Sequence, residues 1–522
     1  MTESHLEIER KYDAAADFAL PDLSRLPGVP HLREAAPLRL HAAYFDTADL
    51  RLAARGITLR RRRGGGDAGW HLKLPAPSGR LEIREPLGGT QAVPGTLASL
   101  VVAHTRGEPL RQVAALDTHR RVTVLLDEEG VPLAEVADDA VTGTVLGTDS
   151  EKRWREIEVE LVNGPPELLD AVDNRLREAG AHESSAPSKL ARLLGDRVGR
   201  PEETAEKDVG ATGQSAGEVV IARLSAQVDA LLRHDPAARR GADDAVHKMR
   251  VAARRSRAVL RAYAPLFDRR SVRPVMEELR WLGRVLGEVR DLEVLRERLA
   301  ARVQAVAAPS GPRPSTALPR YGPGAFVHVD DPPPAASERP AASPSWLDEL
   351  GQEEQRAYRR LNVTLCEPRY LALLDALEAL VAEPPFTGRA RRPAAEEMPA
   401  LLDRARRRLV RKHDVLDADP GPEDVTTARH DVRKAAKRVR YAAETAAPVL
   451  GADAERTAHA AKAVQNALGE HMDALMTMRR IEEIAARVRD PAEAFALGRV
   501  HGLEQRAADA SLARFAAAWK AV

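Results

Sequence analysis

Short segments in which apolar and polar residues alternate fill about the first 160 residues of the chain. A period of two is typical of strands that bury one face. Gly and Pro separate the segments, which read LEIERKY, GITLRRR, WHLKL, RLEIREP, RVTVLLD, PLAEVAD and WREIEVELV. So many strands at this spacing predict an antiparallel sheet that curls into a barrel.

The pattern changes to Ala-rich amphipathic helices at 218–304 and 346–520, with no strand signal between them. A polar segment at 200–217 is typical of an interdomain linker. A second polar segment, at about 305–345, is rich in Pro and cannot bury a core, so a disordered insertion is expected there. The chain is therefore predicted to hold a barrel domain at 1–199 and a helical domain at 218–520.

The helical part repeats itself. His247 aligns with His430 at an offset of 183 residues, and LGEVRDLEVL at 286–295 aligns with LGEHMDALMT at 468–477 at an offset of 182. We expect a tandem duplication of one helical bundle unit, with the copies at 218–304 and 346–520. The predicted fold class is an α+β multidomain protein, in which an antiparallel β domain precedes an all-α duplicated bundle.

Charged residues occupy one face of most predicted strands. Because alternate residues share a face, each strand contributes its own charged set: Glu7, Glu9 and Lys11; Arg60 and Arg62; His71 and Lys73; Arg80 and Glu82; and Glu156, Glu158 and Glu160. These faces could be solvated and stabilised by cross-strand Glu–Arg pairs. Acids concentrated on two strands and bases on the others favour a polar barrel interior instead. Carboxylates suit Mg²⁺ or Mn²⁺, and Lys and Arg suit the phosphates that such a metal bridges.

Basic stripes mark the helical repeats. His247, Arg250, Arg254, Arg257 and Arg261 lie at helical spacing, and the second copy carries His430, Arg433, Lys437 and Arg440 with Lys434 and Arg438 beside them. Stacked like charges destabilise an isolated helix by a few tenths of a kcal/mol per pair, so an anionic partner explains the stripes better than helix stability does. The alternative is a solvated face balanced by Glu288, Asp291, Glu470 and Asp473. The stripes are nearly free of aromatic residues, which favours a polyanion without bases over nucleic acid.

Composition limits the remaining classes. Lys and Arg (79) nearly balance Asp and Glu (78), so any charged site must be local. The single cysteine, Cys366, excludes a disulfide framework and a Cys-based zinc site. The start of the chain, MTESHLEIER, is unlike a signal peptide, and no apolar run is long enough for a membrane span. We expect a soluble, cytoplasmic protein with no membrane partner.

The N-terminal motifs resemble the CYTH domains, the triphosphate tunnel metalloenzymes. LEIERKY is similar to their ExExK signature, and YFDTADLRLAARGITLRRR, WHLKLP, LAEVADDAV, EIEVEL and PSKL follow in the family's order. The resemblance implies an eight-stranded antiparallel tunnel whose members hydrolyse or cyclise triphosphates with a divalent metal.

Residue roles follow from that resemblance. It implies metal ligands at Glu7, Glu9, Glu158 and Glu160, with a further carboxylate from Glu135 and Asp139; catalytic groups at Lys11, Lys73 and Arg120; and substrate-binding groups at Arg60, Arg62, Arg80 and Lys189. The choice between Asp138 and Asp139 stays open. So does the identity of the water-activating base, because His119 stands where many members carry Lys or Arg; Lys73 and Lys11 are the candidates.

The duplicated basic helices resemble the CHAD domain, which commonly follows CYTH, and that resemblance implies binding of inorganic polyphosphate. The residues implied are His247, Arg250, Arg254, Arg255, Arg257, His430, Arg433, Lys434, Lys437, Arg438 and Arg440. The histidines are expected to donate hydrogen bonds to phosphate, because no Cys or second His stands at a metal-ligand spacing.

The function expected from these features is metal-dependent hydrolysis of inorganic triphosphate or a related triphosphate, with polyphosphate binding by the helical domain. One alternative is a non-catalytic protein that binds polyphosphate and is targeted to polyphosphate granules. Another is a tunnel enzyme that acts on thiamine triphosphate or on ATP as an adenylate cyclase. Substrate chain length, the preferred metal and the oligomeric state are left open by the sequence.

Overall fold

The structure is a computed structural model that describes residues 3–76, 79–148, 151–198, 214–307, 344–418 and 420–522. The chain divides into two compact units, Met1–Ala205 and Glu206–Val522. The predicted linker at 200–217 lies outside the described residues as far as 213. The Pro-rich segment lies outside them from 308 to 343.

The first unit is built mainly from strands. They are β1 (Glu3–Glu7), β2 (Glu9–Ala14), β3 (His31–Glu34), β4 (Leu38–Asp46), β5 (Thr58–Arg63), β6 (Gly69–Ala76), β7 (Gly79–Pro86), β8 (Arg111–Leu126), β9 (Pro132–Val145), β10 (Glu151–Leu161) and β11 (His182–Glu183). Four helices accompany them: α1 (Arg51–Ala54), α2 (Gly95–Thr105), α3 (Glu167–Glu178) and α4 (Lys189–Leu194).

The antiparallel sheet closes on itself through the first segment of the chain. Its order is β1-β7-β6-β5-β4-β8-β9-β10-β2-β11, and β3 pairs with β8. β1 and β2 are separated only by Ile8, yet β1 pairs with β7 and β2 with β10, at opposite ends of that order. If β1 and β2 are taken as one strand and the short β3 and β11 are set aside, eight strands form the tunnel wall. The predicted antiparallel tunnel is therefore confirmed.

Apolar residues lie mainly outside this wall, because strand alternation sends the charged residues inward. On β10, Ile157 and Val159 pack outward in a core that includes Val172 and Leu176 of α3. On the other side, a second core joins strands β5, β6 and β7 to α1 and α2. The interior of the tunnel is left to the acids and bases.

Helix α4 packs against the wall from one side. Its Leu190, Leu193 and Leu194 lie in an apolar cluster with Tyr44 and Leu116. Ser188 caps the helix by accepting a hydrogen bond from the Ala191 amide at 3.1 Å. The cap and the leucines together fix the position of Lys189, the first residue of the helix.

The regular elements of the second unit are helices throughout its described residues. Its helices are α5 (Ala216–Arg239), α6 (Ala245–Ala262), α7 (Arg269–Ala307), α8 (Ser345–Thr364), α9 (Pro368–Ala382), α10 (Ala394–Asp417), α11 (Pro422–Leu450), α12 (Ala452–Ala485) and α13 (Pro491–Trp519). The Ser215–Glu218 capping box starts α5 at residue 216, within the predicted linker. None of the described helices is long and apolar enough to cross a membrane.

The duplicated motifs fall on equivalent pairs of helices. The first copy lies on α6 and α7, and the second lies on α11 and α12. α6 and α11 also pack directly against each other. α8 and α9, which the sequence analysis assigned to the second repeat, precede α10 and so lie between the two duplicated pairs. The predicted duplicated bundle is confirmed as an all-helical region.

Candidate functional site

Acidic residues from the first and last long strands meet inside the tunnel. One ligand atom from each of His5, Glu7 and Glu160 lies within 4.8 Å of the others, close enough to hold one metal ion. Glu7 is only 2% exposed, and Nζ of Lys73 donates to its Oε2 at 2.5 Å. Among the described residues, Lys73 is the cation that pairs with a carboxylate of this cluster, and Nη2 of Arg84 lies 3.3 Å from Nε2 of His5.

The pKa of Glu160 indicates that the negative charge of this cluster is only partly balanced. Burial, together with repulsion from Glu7, Glu9 and Glu158, raises the pKa of Glu160 to about 7. A hard divalent cation prefers oxygen ligands and would relieve that repulsion. The residues present therefore fit a divalent metal.

A second acidic cluster contains Asp139, Glu156 and Glu158. Its charge is already balanced by three cations of the chain. Nζ of Lys189 lies 3.0, 2.7 and 2.8 Å from carboxylate oxygens of the three acids. Arg120 donates to both oxygens of Asp139, at 2.8 and 2.6 Å, and to Glu158 at 2.7 Å. These cations, with Lys11, hold the pKa values of Asp139 and Glu158 below their usual range.

The structure also decides between the two neighbouring aspartates of β9. Asp139 is fully buried on the tunnel face, where it contacts Arg120 and Lys189. Asp138 lies on the opposite face, and Arg155 donates to both of its carboxylate oxygens at 2.8 Å. Asp139 is therefore the tunnel carboxylate. His119 precedes Arg120 on β8 and so lies on the outer face, where it is exposed.

The opposite wall is rich in arginine. Burial and the neighbouring charges of Arg60 and Arg120 lower the pKa of Arg62 to about 9. Arg60 lies beside the Tyr44 hydroxyl, at 3.5 Å. Arg62 contacts Asp67. Guanidinium groups crowded in this way create a favourable position for an anion.

The carboxylate of Glu82 lies among the cations of this basic wall. It is fully buried, and Nδ1 of His71 lies 2.9 Å from its Oε1. Arg60 and Lys73 lie 3.7 and 3.6 Å from the same carboxylate. Despite burial, these partners hold the pKa of Glu82 well below its usual range. Glu82 therefore positions the cations of the wall.

Three further residues implied by the resemblance do not belong to either acidic cluster, although Arg80 neighbours Glu9 and Glu7, and Lys11 links Glu9 to Glu158. Arg80 donates to the backbone carbonyls of Gly56 and, at 3.2 Å, Pro187. Glu9 pairs with Nζ of Lys11 at 3.1 Å. Glu135 is opposite Glu160 in the strand register but is exposed, and it belongs to neither acidic cluster of the described residues.

The sequence reasoning missed His5. It lies two residues before Glu7 on the same strand, so strand alternation alone places both on one face. Nε2 of His5 is 3.6 Å from Glu7 and 3.7 Å from Glu82. The period-two pattern was the signal that could have identified it.

In the helical unit, the two basic stripes face each other. Arg250 and Arg254 of α6 are electrostatic neighbours of Arg433 and Lys437 of α11. Burial and these three arginines lower the pKa of Lys437 to about 7. We call these four residues the central cation cluster. It combines charge from both copies of the repeat.

Two aspartates offset part of this charge. Arg250 donates to Asp291 at 2.8 Å, and Asp473 neighbours Arg433 and Lys437. Burial raises the pKa of Asp473, so it is a weak counter-charge. Asp291 and Asp473, two of the four predicted balancing acids, are thus present but do not neutralise four cations, whereas Glu470 pairs with Arg514.

Glycines let the arginines lie close to the neighbouring helices. A Cβ at Gly287 would lie 3.6 Å from the Arg250 guanidinium, and one at Gly469 would lie 3.2 Å from Nη2 of Arg433. These glycines belong to the duplicated LGE segments, which explains why both copies carry them.

Other predicted polyanion residues surround the central cluster. Lys434 and His430 are exposed on α11, and His247 is half-buried on α6. Arg255 and Arg440 approach Glu444, at 4.0 and 2.6 Å. Arg257 and Arg438 are neighbours of each other on the adjoining helices.

Comparisons with known proteins agree with this architecture. The CYTH domain family matches residues 5–194, and the CHAD domain family matches residues 222–482. The chain is 36% identical over 493 residues to the uncharacterized protein MT2285 of Mycobacterium tuberculosis (strain CDC 1551 / Oshkosh), an alignment that covers 91% of this chain and 87% of the relative.

Two solved structures are similar to parts of the chain. PptA from Streptomyces chartreusis is 22% identical with a TM-score of 0.45, and the match covers 59% of this chain and 100% of PptA. The CHAD domain from the plant Ricinus communis is 22% identical with a TM-score of 0.43, covering 60% of this chain and 94% of that domain. With both domain families matched and the mycobacterial relative aligned along nearly the whole chain, the protein belongs to the family in which a CYTH domain is followed by a CHAD domain.

Proposed function

We propose that the tunnel hydrolyses inorganic triphosphate or a related triphosphate with a divalent metal. The observation that carries this proposal is the His5–Glu7–Glu160 cluster, a fit for a divalent metal, in the same tunnel as the crowded guanidinium groups of Arg60 and Arg62. A linear triphosphate offers anionic oxygens along its whole length, so it complements a wall of guanidinium and ammonium groups. A terminal phosphoryl group could then lie near the carboxylates.

His5, Glu7 and Glu160 would hold the metal, which we propose is Mg²⁺ or Mn²⁺. When bound, such an ion supplies charge stabilisation to the transferred phosphoryl group and activates a water molecule. The chain contributes the rest. Arg60 and Arg62 orient the phosphate oxygens, and Lys73 holds Glu7 in place.

The second acidic cluster serves a different purpose in this proposal. Lys189, Arg120 and Lys11 are tied to Asp139, Glu156 and Glu158 by short ion pairs. These cations are therefore held rigidly before substrate arrives, which lowers the cost of orienting them in the transition state. Lys11 and Lys73 are the candidates for the water-activating base. Glu158 and Glu9 outweigh burial and raise the pKa of Lys11, which favours its protonated form and makes it the poorer base.

The helical unit is proposed to bind inorganic polyphosphate through the central cation cluster. Four cations against two aspartates leave an excess of positive charge that long-chain polyphosphate would neutralise. Binding there would concentrate the protein on polyphosphate, including polyphosphate granules in the cytoplasm.

The test is release of phosphate by the purified full-length protein from tripolyphosphate, ATP and thiamine triphosphate. Each reaction is run with Mg²⁺, with Mn²⁺ and with EDTA. We expect metal-dependent release from tripolyphosphate that falls to the EDTA background in the Glu7→Gln, Glu160→Gln double variant. The control is Glu108→Gln, an exposed position that should keep full activity. Release from ATP or thiamine triphosphate alone would reassign the substrate, and full activity in the double variant would overturn the site.

A further inference from the structure

One half of the duplicated unit contains a second arginine cluster, separate from the central cation cluster, whose charge is partly neutralised by a glutamate. Glu444 of α11 accepts from Arg440 at 2.6 Å and from Arg223 of α5 at 3.2 Å, and Arg255 of α6 lies 4.0 Å from it. The guanidinium groups of Arg255 and Arg440 also lie over the Tyr441 ring, 6.0 and 5.3 Å from its centre. One carboxylate and one aromatic face therefore accommodate three arginines.

The internal repeat shows what occupies the equivalent place in the other half. At the offset of 183 residues, Arg255 corresponds to Arg438 and Arg440 to Arg257. Glu444 corresponds to Arg261, and Tyr441 corresponds to Ala258. Both groups that accommodate the arginines in one half are thus missing from the other, and the carboxylate is replaced by a further cation.

The neighbouring helices add still more positive charge. Arg280 of α7 and Arg408 of α10 lie near Arg261, and Arg257 and Arg438 complete the group. Among the described residues, none of these five arginines forms an ion pair within 4.0 Å of a carboxylate. Arg261, Arg280 and Arg408 are exposed, and the other two are half-buried. Burial, and then repulsion from the neighbouring arginines, lower the pKa values of Arg257, Arg261 and Arg438.

We propose that these five arginines, Arg257, Arg261, Arg280, Arg408 and Arg438, form an accessory anion site that binds a phosphate or polyphosphate group. The equivalent arginines in the other half of the duplicated unit do not form such a site, because they are already paired with Glu444. The proposal rests on the proposed polyphosphate binding only for the identity of the ligand. Its geometry stands on the repeat and on the unpaired arginines.

Five guanidinium groups with no carboxylate within 4.0 Å among the described residues, and with Asp431 as a more distant neighbour of Arg438, favour a ligand with several charged oxygens. Arginine forks match phosphate oxygens in pairs, and the bonds are strengthened by charge on both partners. Exposure of three of the five leaves the ligand free to enter. A single carboxylate ligand would leave most of the positive charge uncompensated, so a phosphate chain is the better match.

The experiment uses reciprocal exchange of the two equivalent residues in the full-length protein. Tripolyphosphate binding is titrated by calorimetry in EDTA, which prevents metal-dependent hydrolysis. We expect Arg261→Glu to lose one binding equivalent relative to the wild type, and Glu444→Arg to gain one. Arg479→Glu has the same charge change at a residue whose side chain is 84% exposed, and it should keep the wild-type stoichiometry.

A local measurement identifies the arginines involved. Phenylglyoxal modifies accessible arginines, and mass spectrometry locates the modified positions. Tripolyphosphate should protect Arg261, Arg280 and Arg408 in the wild type. Equal modification with and without tripolyphosphate, or an unchanged stoichiometry in Arg261→Glu, would overturn the accessory site.

Folding failure does not obscure these outcomes. Arg261→Glu supplies the carboxylate that Glu444 provides in the other half and removes a repulsive charge, so its melting temperature should stay near that of the wild type. If Glu444→Arg has a low melting temperature, Glu444→Gln is used instead, because it removes the same carboxylate without adding a charge. In that variant Arg223 and Arg255 lose their ion-pair partner, so tripolyphosphate should protect them from phenylglyoxal. Metal-dependent hydrolysis by the tunnel is measured separately, so loss of the accessory site would leave the proposed tunnel activity untouched.

Discussion

At the scale of single residues, the pKa of Lys437 depends on the charges of the other three residues of the central cation cluster. Burial of its ammonium, together with repulsion from Arg433, Arg254 and Arg250, lowers its pKa to about 7. Between that value and the usual lysine pKa of 10.5, the unfolded chain binds more protons than the folded protein. Stability therefore rises as the pH increases above about 7 and stays level below it.

Polyphosphate binding should follow the opposite trend. A bound polyanion favours the charged ammonium, so affinity should fall as the pH rises through 7, by up to about tenfold per pH unit. Lys437→Arg keeps its charge over this range and should flatten the dependence. Binding of a labelled polyphosphate between pH 6 and pH 9 measures it. Lys434→Arg is the control, because Lys434 is exposed and should leave the pH profile unchanged. An equally flat profile in the wild type would contradict the assignment.

At the scale of elements, the glycines of the duplicated LGE segments determine how closely an arginine can lie against a helix. A Cβ at Gly287 would make an ordinary contact of 3.6 Å with Arg250, whereas a Cβ at Gly469 would lie only 3.2 Å from Arg433. The two equivalent glycines therefore have different tolerance for a side chain.

We expect Gly287→Ala to be neutral or stabilising by up to about 1 kcal/mol, because alanine favours the helix. Gly469→Ala should displace the Arg433 guanidinium and weaken polyphosphate binding several-fold. Thermal unfolding and polyphosphate titration of both variants, compared with the wild type, test the pair. The same loss of binding in both variants would show that close approach at Gly469 is not the determinant.

At the scale of the whole molecule, we expect the proposed activity of the first unit and the proposed binding by the second to be separable by mutation. Glu7→Gln with Glu160→Gln should abolish tripolyphosphate hydrolysis and leave long-chain polyphosphate binding unchanged, since the altered residues all lie in the first unit. Phosphate release and polyphosphate titration of the same preparation measure both. Loss of both properties in this variant would contradict independent sites.

The reverse separation requires charge reversal in the helical unit. Replacing Arg250, Arg254, Arg433 and Lys437 by Glu should release long-chain polyphosphate and make the remaining binding less dependent on salt, because ionic contacts to phosphate are lost. Tripolyphosphate hydrolysis should persist. Affinity measured over a salt series tests this expectation, and an unchanged salt dependence would exclude the central cation cluster. The matched control for net charge replaces by Glu four exposed arginines of the unit that lie outside both the central cation cluster and the accessory anion site.

Much of the fold and of the candidate site could be predicted from the sequence, because both depend on local periodicity. Alternation along a strand places Glu7 with Glu9, and Glu158 with Glu160, whatever the partner strands are. Helical spacing likewise places Arg250 and Arg254 on one stripe. The offset of 183 residues revealed the duplication before any helix was placed.

Relations between distant segments could not be predicted in the same way. Asp138 and Asp139 are equally acidic in the sequence, and only the register of β9 turned one inward and paired the other with Arg155. The pairing of Lys189 with three carboxylates required the position of α4 against the wall. The approach of the two basic stripes required the packing of α6 on α11.

The sequence by itself determined the two domains, the strand and helix periodicities, the duplicated motif and the kind of charge on each face, because these follow from neighbouring residues. Only the tertiary structure decided which charges neutralise one another. Ion pairs form between groups that strand register and helix packing bring within a few ångströms of each other. Glu444 therefore pairs with the arginines of one cluster, whereas the equivalent cluster has Arg261 in place of that carboxylate.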